Sequence, residues 1–183
     1  NTIIILFSDH GWHLGEKLRF RKHALWAEDT QLPLIIHLPG MTEKQNSFRN
    51  VNLIDLYPTL IDVSGLPQKE LDGRSIKPLL ENPELEWFPT LTTFQKDNHS
   101  VMSEKWHYII RFGGEELYNL EEDPMEWNNL AHSNSDEIIK IKEYLKSYLP
   151  EYNEWELFKY QKDRSVTHLD ESIKSKRDIS KLK

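Results

Sequence analysis

The chain opens on an unbroken apolar, β-branched run from Thr2 to Phe7, without the alternation of a half-exposed strand. Such a run predicts a strand buried on both faces, as in a parallel sheet covered by helices, although a short apolar run also fits a piece of buried helix. A second run, Leu32 to Leu38, offers a parallel neighbour, reached by a crossover through a short helix over 24–29. No third or fourth parallel strand follows, and two strands do not make a doubly wound sheet. The expectation is therefore the C-terminal part of a larger α/β domain whose other strands lie upstream. Pro39-Gly40 marks a turn, and 41–50 is polar. From Val51 to Val63 the residues Leu53, Leu56, Leu60 and Ile61 fall at helical spacing. Pro58 places the start of that helix near Tyr57, and Gly65 caps its end. Residues 71–80 read as a loop followed by a short helical turn.

The texture changes near Thr90. Thr90–Phe94, Ser100–Phe112 and Glu115–Leu120 predict antiparallel strands, with Gly113-Gly114 as a two-residue hairpin signal. Asp123-Pro124 ends the meander, and Ser135 to Leu149 predicts a helix behind a Ser or Asp cap. Three regions follow: an α/β portion over 1–88, a small α+β subdomain over 89–158, and a tail over 159–183 with eight Lys/Arg against four Asp/Glu. That balance suits a solvated tail, with partner binding as the alternative.

Composition narrows the function classes. Of 183 residues, 38% are hydrophobic and 29% charged, and the net charge is -7, so nothing predicts nucleic-acid binding by bulk charge. No apolar run approaches the ~20 residues that cross a bilayer, and no signal peptide is read in the opening residues. Cysteine is absent, which removes disulfides, thiolate metal sites and a cysteine nucleophile within these residues.

Candidate chemistry sits just past the opening strand. In open sheets, ligands gather beyond strand carboxyl ends, and Ser8-Asp9-His10-Gly11 stands there. Asp9 offers oxygen and His10 nitrogen, and a turn at Gly11 can aim both at one ion. A turn aspartate beside a surface histidine is the competing reading. Trp12 is either a wall for a sugar ring or a core residue. The loop from Lys17 to His23 carries five cationic or potentially cationic positions in seven. It reads as an anion-binding loop or as a solvated basic one.

Taken together, Phe7-Ser-Asp-His-Gly-Trp-His-Leu-Gly-Glu16, Lys22, Leu32-Pro-Leu-Ile-Ile36, Pro39-Gly40, Asp55-Leu-Tyr-Pro-Thr-Leu60, Leu71-Asp-Gly-Arg-Ser75 and Glu116-Leu-Tyr-Asn-Leu120 resemble the C-terminal half of the formylglycine-dependent (type I) sulfatases, in the alkaline phosphatase superfamily. Asn98-His-Ser-Val101 with Ser103-Glu-Lys-Trp106 is most similar to the iduronate-2-sulfatase-like branch. The resemblance covers about residues 1–150. It implies the C-terminal part of an alkaline-phosphatase-like mixed sheet sandwiched by helices, followed by a small antiparallel sheet packed with a C-terminal helix.

The resemblance also implies roles. Asp9 and His10 would hold the active-site calcium, although nitrogen is an unusual calcium donor. Lys22, with His10, would serve catalysis by holding the sulfate group or the bridging oxygen, where a fixed cation offsets charge on the leaving oxygen. Trp12, Lys22 and His99 would contact a sulfated carbohydrate. Met102 stands where many relatives carry an arginine able to pair with a sugar carboxylate, which argues against uronate recognition. The family nucleophile, a formylglycine made within a Cys/Ser-x-Pro/Ala-x-Arg motif, has no counterpart here. The expectation is a chain that supplies part of an active site and is inactive alone, completed by an N-terminal part or another chain. By the same resemblance its compartment is exported or lysosomal. A phosphodiesterase or phosphonate hydrolase of the same superfamily, and a non-catalytic remnant or binding module, are the alternatives.

Overall fold

A four-stranded antiparallel sheet with different partners on its two faces organises the structure, a computed structural model that describes residues 1–150. The basic tail expected over 159–183 and the last residues of the expected subdomain, 151–158, lie outside the described residues. The strands are β3 (Thr90–Thr93), β4 (His99–Met102), β5 (Trp106–Arg111) and β6 (Gly114–Asn119), in that spatial order. The single strand expected over 100–112 is thus two, broken at Ser103, whose side chain accepts from Trp106 N at 3.0 Å. The β5–β6 turn sits one residue earlier than expected. Arg111 pairs with Gly114, so Phe112 and Gly113 form the two-residue loop, both at positive φ (51° and 78°). That is the twist a tight hairpin needs, and Phe112 adopts it at a local cost.

Alternation along β5 and β6 splits the core. Val101, Tyr108 and Leu117 face one way, where helix α4 (Asp136–Lys146) covers them with Leu145 and the half-buried Ile138 and Ile141. Ile109 and Tyr118 face the other way and receive Leu25 and Trp26 from the N-terminal region. The second face is the platform on which the candidate site is built.

Glu115 fastens α4 to the sheet. Lys146 and Lys142 both reach its carboxylate, Lys142 at 3.0 Å, and the Tyr108 hydroxyl donates at 3.1 Å. Chiefly through the Lys146 hydrogen bond, its carboxyl is held down at about 2. A depressed carboxyl stabilises the fold fully above its unfolded value of 4.5, and that contribution is lost as pH falls through about 2. With the side chain only 26% exposed, we expect about 2 kcal/mol from it at neutral pH. Urea unfolding at pH 7 and pH 3 checks this: the gap between the native chain and Glu115→Gln should narrow at the lower pH. An equal gap at both would remove the assignment.

The N-terminal strands β1 (Ile4–Phe7) and β2 (Leu34–His37) pair antiparallel, with Ile4 opposite His37 and Phe7 opposite Leu34. This corrects the expected parallel crossover. The helix between them, α1 (Ala27–Thr30), is one turn long and does not carry the chain back to the start of β1. Instead the chain doubles on itself: Gly11 N donates to Asp29 O at 2.9 Å, His13 N to Arg21 O at 3.4 Å, and Gly15 N to Arg19 O at 2.8 Å. These contacts carry the antiparallel return out toward a tip near residues 15–19. Nor is β1 buried on both faces among the described residues, since Ile4, Leu6 and Phe7 are exposed.

Helix α2 (Leu56–Val63) has Pro58 in its first turn, and Gly65 ends it at φ 64°. Leu66 N donates to Ile61 O, and Gly65 N to Asp62 O, which is the pair of hydrogen bonds expected of a left-handed cap. Buried Asp55 precedes it, accepting from Asn52 N and Arg74 N at 2.9 Å each. It thereby locks 51–54 and the loop before α3 (Lys77–Glu81).

Candidate functional site

A cleft of about 570 Å³ opens beyond the end of β1, lined by residues 9–10, 22–24, 29–30, 32–34, 51–54 and 91–94. Asp9, His10 and Lys22 meet in its wall. Lys22 Nζ lies 2.7 Å from His10 Nε2, and Asp9 Oδ2 lies 3.5 Å from the same nitrogen. The opposite ring nitrogen, His10 Nδ1, is 2.8 Å from Gly11 O. A carbonyl only accepts, so Nδ1 carries the proton, and the Nε2 lone pair faces the Lys22 ammonium. The lone pair, the carboxylate and the cation thus converge, with Asp9 80% exposed on the solvent side.

Two loops carry these groups, and one residue joins them. Asp29, in α1, accepts from Gly11 N through its backbone oxygen. Its Oδ1 meets His13 Nδ1 at 2.9 Å, and its Oδ2 accepts from Ala24 N. The Asp9–His10 turn and the Lys22–Ala24 segment therefore share one buried anchor. The turn also lies against α1 so closely that a Cβ on Gly11 would sit 1.8 Å from Glu28 O. Sequence reasoning missed Asp29. It lies in a short polar stretch, and no spacing rule marks it.

A second anchor holds the basic loop to the sheet. Glu126 is fully buried; one carboxylate oxygen meets His107 Nδ1, and the other accepts from Ala27 N at 3.0 Å. Its backbone oxygen receives Lys17 Nζ. Lys17 is also ringed by aromatic faces, 5.3 Å from Trp26, 4.9 Å from Tyr118 and 4.9 Å from Trp127. So Lys17, at the start of the basic loop, is a structural cation, whereas Lys22 near its end faces the cleft.

Trp12 is 48% exposed with its ring centroid 6.3 Å from His10, a position open to a ligand rather than packed in the core. His99 stands behind the wall. It is buried in β4, its Nδ1 lies 2.9 Å from Thr93 Oγ1, and burial pushes its pKa down. Thr93 and Phe94 line the cleft, and the ring of His23 stacks on Phe94 at 5.5 Å. His99 therefore reaches the cleft only through Thr93.

For a divalent cation, Asp9 and His10 furnish one carboxylate and one ring nitrogen. Calcium takes six to eight ligands, mostly oxygen, so these two fit part of a coordination shell. Among the described residues no group of three or more His, Cys, Asp or Glu is placed to hold a metal ion. No helix among them is long and apolar enough to cross a membrane.

Residues 15–154 match the family described as N-sulphoglucosamine sulphohydrolase, C-terminal. A sulfatase of Formosa agariphila is 38% identical over 84% of this chain and 30% of its own length. An N-acetylglucosamine-6-sulfatase of Bos taurus is 29% identical over 79% of this chain and 34% of its own. Among solved structures, a 2-O GAG sulfatase superposes with a TM-score of 0.68 at 25% identity, covering 80% of this chain and 35% of that one. The chain thus spans about a third of the length of the relatives it matches. With the cleft, the Asp9–His10 turn and the basic loop all falling within the matched region or directly before it, the chain belongs to the sulfatases, as a member of the N-sulphoglucosamine sulphohydrolase C-terminal family.

Proposed function

We propose that this chain forms the cation- and sulfate-facing wall of an enzyme that hydrolyses sulfate esters on carbohydrates. The observation that carries the proposal is the 2.7 Å approach of Lys22 Nζ to His10 Nε2, with Asp9 beside them at the cleft. His10 Nε2 has one lone pair, so it serves either Lys22 or a cation. Asp9 and His10 would hold a calcium ion there, and Lys22 would meet a sulfate oxygen. The ion would supply charge stabilisation at that group. Lys22 offsets charge on the departing oxygen as the S–O bond breaks, and the adjacent exposed Trp12 offers a face to a sugar ring.

The nucleophile, a formylglycine, would come from a segment outside these 183 residues, which contain no Cys/Ser-x-Pro/Ala-x-Arg motif. That segment would cover the exposed apolar side chains Ile4, Leu6, Phe7 and Ile35 on β1 and β2. The amino-sugar sulfatase among the relatives supports a sulfated glucosamine as substrate. Kinship to the iduronate-2-sulfatase-like branch rests on the 98–106 motif, and an exported or lysosomal compartment rests on the family alone.

The test has two arms. The isolated chain, with calcium and an aryl sulfate, should show no turnover; robust turnover abolished by Asp9→Ala would overturn the proposed division of labour. A chimera in which the chain replaces the matching segment of the Formosa agariphila sulfatase should cleave sulfate esters in preference to phosphate esters, and Lys22→Ala should lower kcat by about 100-fold or more. A chimera preferring phosphate or phosphonate esters would favour the superfamily alternative, and unchanged kcat in Lys22→Ala would remove Lys22 from the chemistry.

A further inference from the structure

Among the described residues seven other than glycine have a positive φ, and of these only His23 lines the cleft, at φ 77°. A residue stays in the left-handed region where its surroundings over-determine it, and such positions gather at working sites. Histidine enters that region more readily than most residues, and β-branched residues hardly enter it. His23 follows Lys22 directly, so its backbone bears on where the lysine points.

The surroundings that force the turn lie on both sides of these two residues. Arg21 O accepts from His13 N at 3.4 Å, and Ala24 N donates to Asp29 Oδ2. The other oxygen of that carboxylate meets the His13 ring, so the segment begins and ends on one buried pair, His13 and Asp29. Lys22 and His23 alone are left to turn the chain, and Arg19 Nη2 donates to His23 O at 3.2 Å within that turn. A separate hold comes through the side chain. The His23 ring lies 27° from parallel to that of Phe94, with centroids 5.5 Å apart. Phe94, itself a cleft-lining residue, packs against Leu25, Ile109 and Tyr118, so the stack rests on the core of the sheet. With backbone and ring both held, Lys22 Nζ stands 2.7 Å from His10 Nε2.

We propose that His23 is a positioning residue for Lys22: its left-handed turn directs the lysine into the cleft, and its stack on Phe94 keeps the turn in place. The effect on rate rests on the sulfatase reading, whereas the placement of Lys22 is a property of this chain alone. A cation that offsets charge arising in the transition state acts through its placement, so aim lost at His23 is read in kcat more than in KM.

Three variants separate backbone from ring. His23→Gly keeps the turn and removes the stack, His23→Val removes the stack and opposes the turn, and Phe94→Leu removes only the stacking partner. In the 183-residue chain at fixed pH, the change that Lys22→Met causes in the ring-nitrogen resonances of His10 calibrates a lysine withdrawn. His23→Val should reproduce at least half of that change and His23→Gly less than a quarter. In the chimera with the Formosa agariphila sulfatase, His23→Val should lower kcat about 30-fold or more with KM within about threefold. His23→Gly should recover all but about fivefold of that loss, Phe94→Leu should match it, and the double variant should fall no further than either. Should far-UV circular dichroism show His23→Val unfolded, the glycine, leucine and double variants carry the test. Native His10 resonances and native kcat in every folded variant overturn the proposal. An equal loss in the glycine and valine variants also overturns it, since the turn would not then aim the lysine, and so do losses that multiply in the double variant, since the two rings would not then act as a stack. If Lys22→Ala leaves kcat unchanged while the His10 resonances respond as expected, the sulfatase reading fails and the placement of Lys22 by His23 stands.

Discussion

Gly11→Ala is expected to lower the melting temperature by about 6–12 °C and to dismantle the cleft wall. The added methyl would sit 1.8 Å from Glu28 O, 2.9 Å from Glu28 C and 3.2 Å from Asp29 Cα. All three are backbone atoms, so no side chain can swing aside. Either the turn lifts off α1 or α1 moves, and both break the Gly11 N to Asp29 O bond. Overpacking of this kind costs about 3 kcal/mol, and a fold of this size loses about 2–4 °C for each of those. The functional loss is larger than the stability loss. The turn carries Asp9 and His10, and a displacement of about 1 Å at reacting groups costs on the order of 100-fold in rate. In the chimeric enzyme, kcat should fall by about that factor even at temperatures where the variant remains folded. Gly65→Ala is the matched control. No atom lies within 4 Å of its new methyl, and only the left-handed φ of 64° opposes it, worth about 1 kcal/mol. Equal melting temperatures for the two variants would show that the turn does not press on α1 as described.

Glu126→Ala should be the most destabilising change outside that turn, at about 3–5 kcal/mol. The carboxylate is fully buried and serves two elements at once, His107 in β5 and the Ala27 N–H at the start of α1, while the residue's backbone oxygen separately receives Lys17. Truncation leaves His107 enclosed with neither ring nitrogen partnered, since its Nε2 already lacks one. It also strands a buried amide, and each such group costs about 1–3 kcal/mol. Glu126→Gln keeps the shape and an acceptor for Ala27 N, so its penalty should be roughly half. Chemical denaturation of both variants reads the difference. A Glu126→Ala penalty below about 1 kcal/mol would show that the anchor contributes little.

These expectations depend on residues of unequal legibility. The strand–turn signal at Phe7 to Gly11, the basic loop and the helical spacing of 53–61 and 135–149 were all visible as local patterns, because hydrophobic period and turn chemistry act over a few residues. The convergence of Asp9, His10 and Lys22 followed from family resemblance and is present in the structure. The direction of β2 was not visible. A run of apolar residues states that a strand exists, but its sense depends on how 8–33 travels, and that is decided by contacts such as Gly11 with Asp29. The turn at Phe112 was misplaced by one residue for a similar reason. Gly113-Gly114 is the stronger local signal, yet the register of β5 against β6 sets which pair turns.

The candidate residues, then, are local: which side chains sit at the strand end, and which sign of charge follows, while their roles rest on the family resemblance. Their arrangement in space was not. Asp29, Glu126 and His107 draw on residues up to 109 positions apart along the chain. A buried polar group finds its partner wherever folding brings one within about 3 Å, and sequence separation places no constraint on that distance.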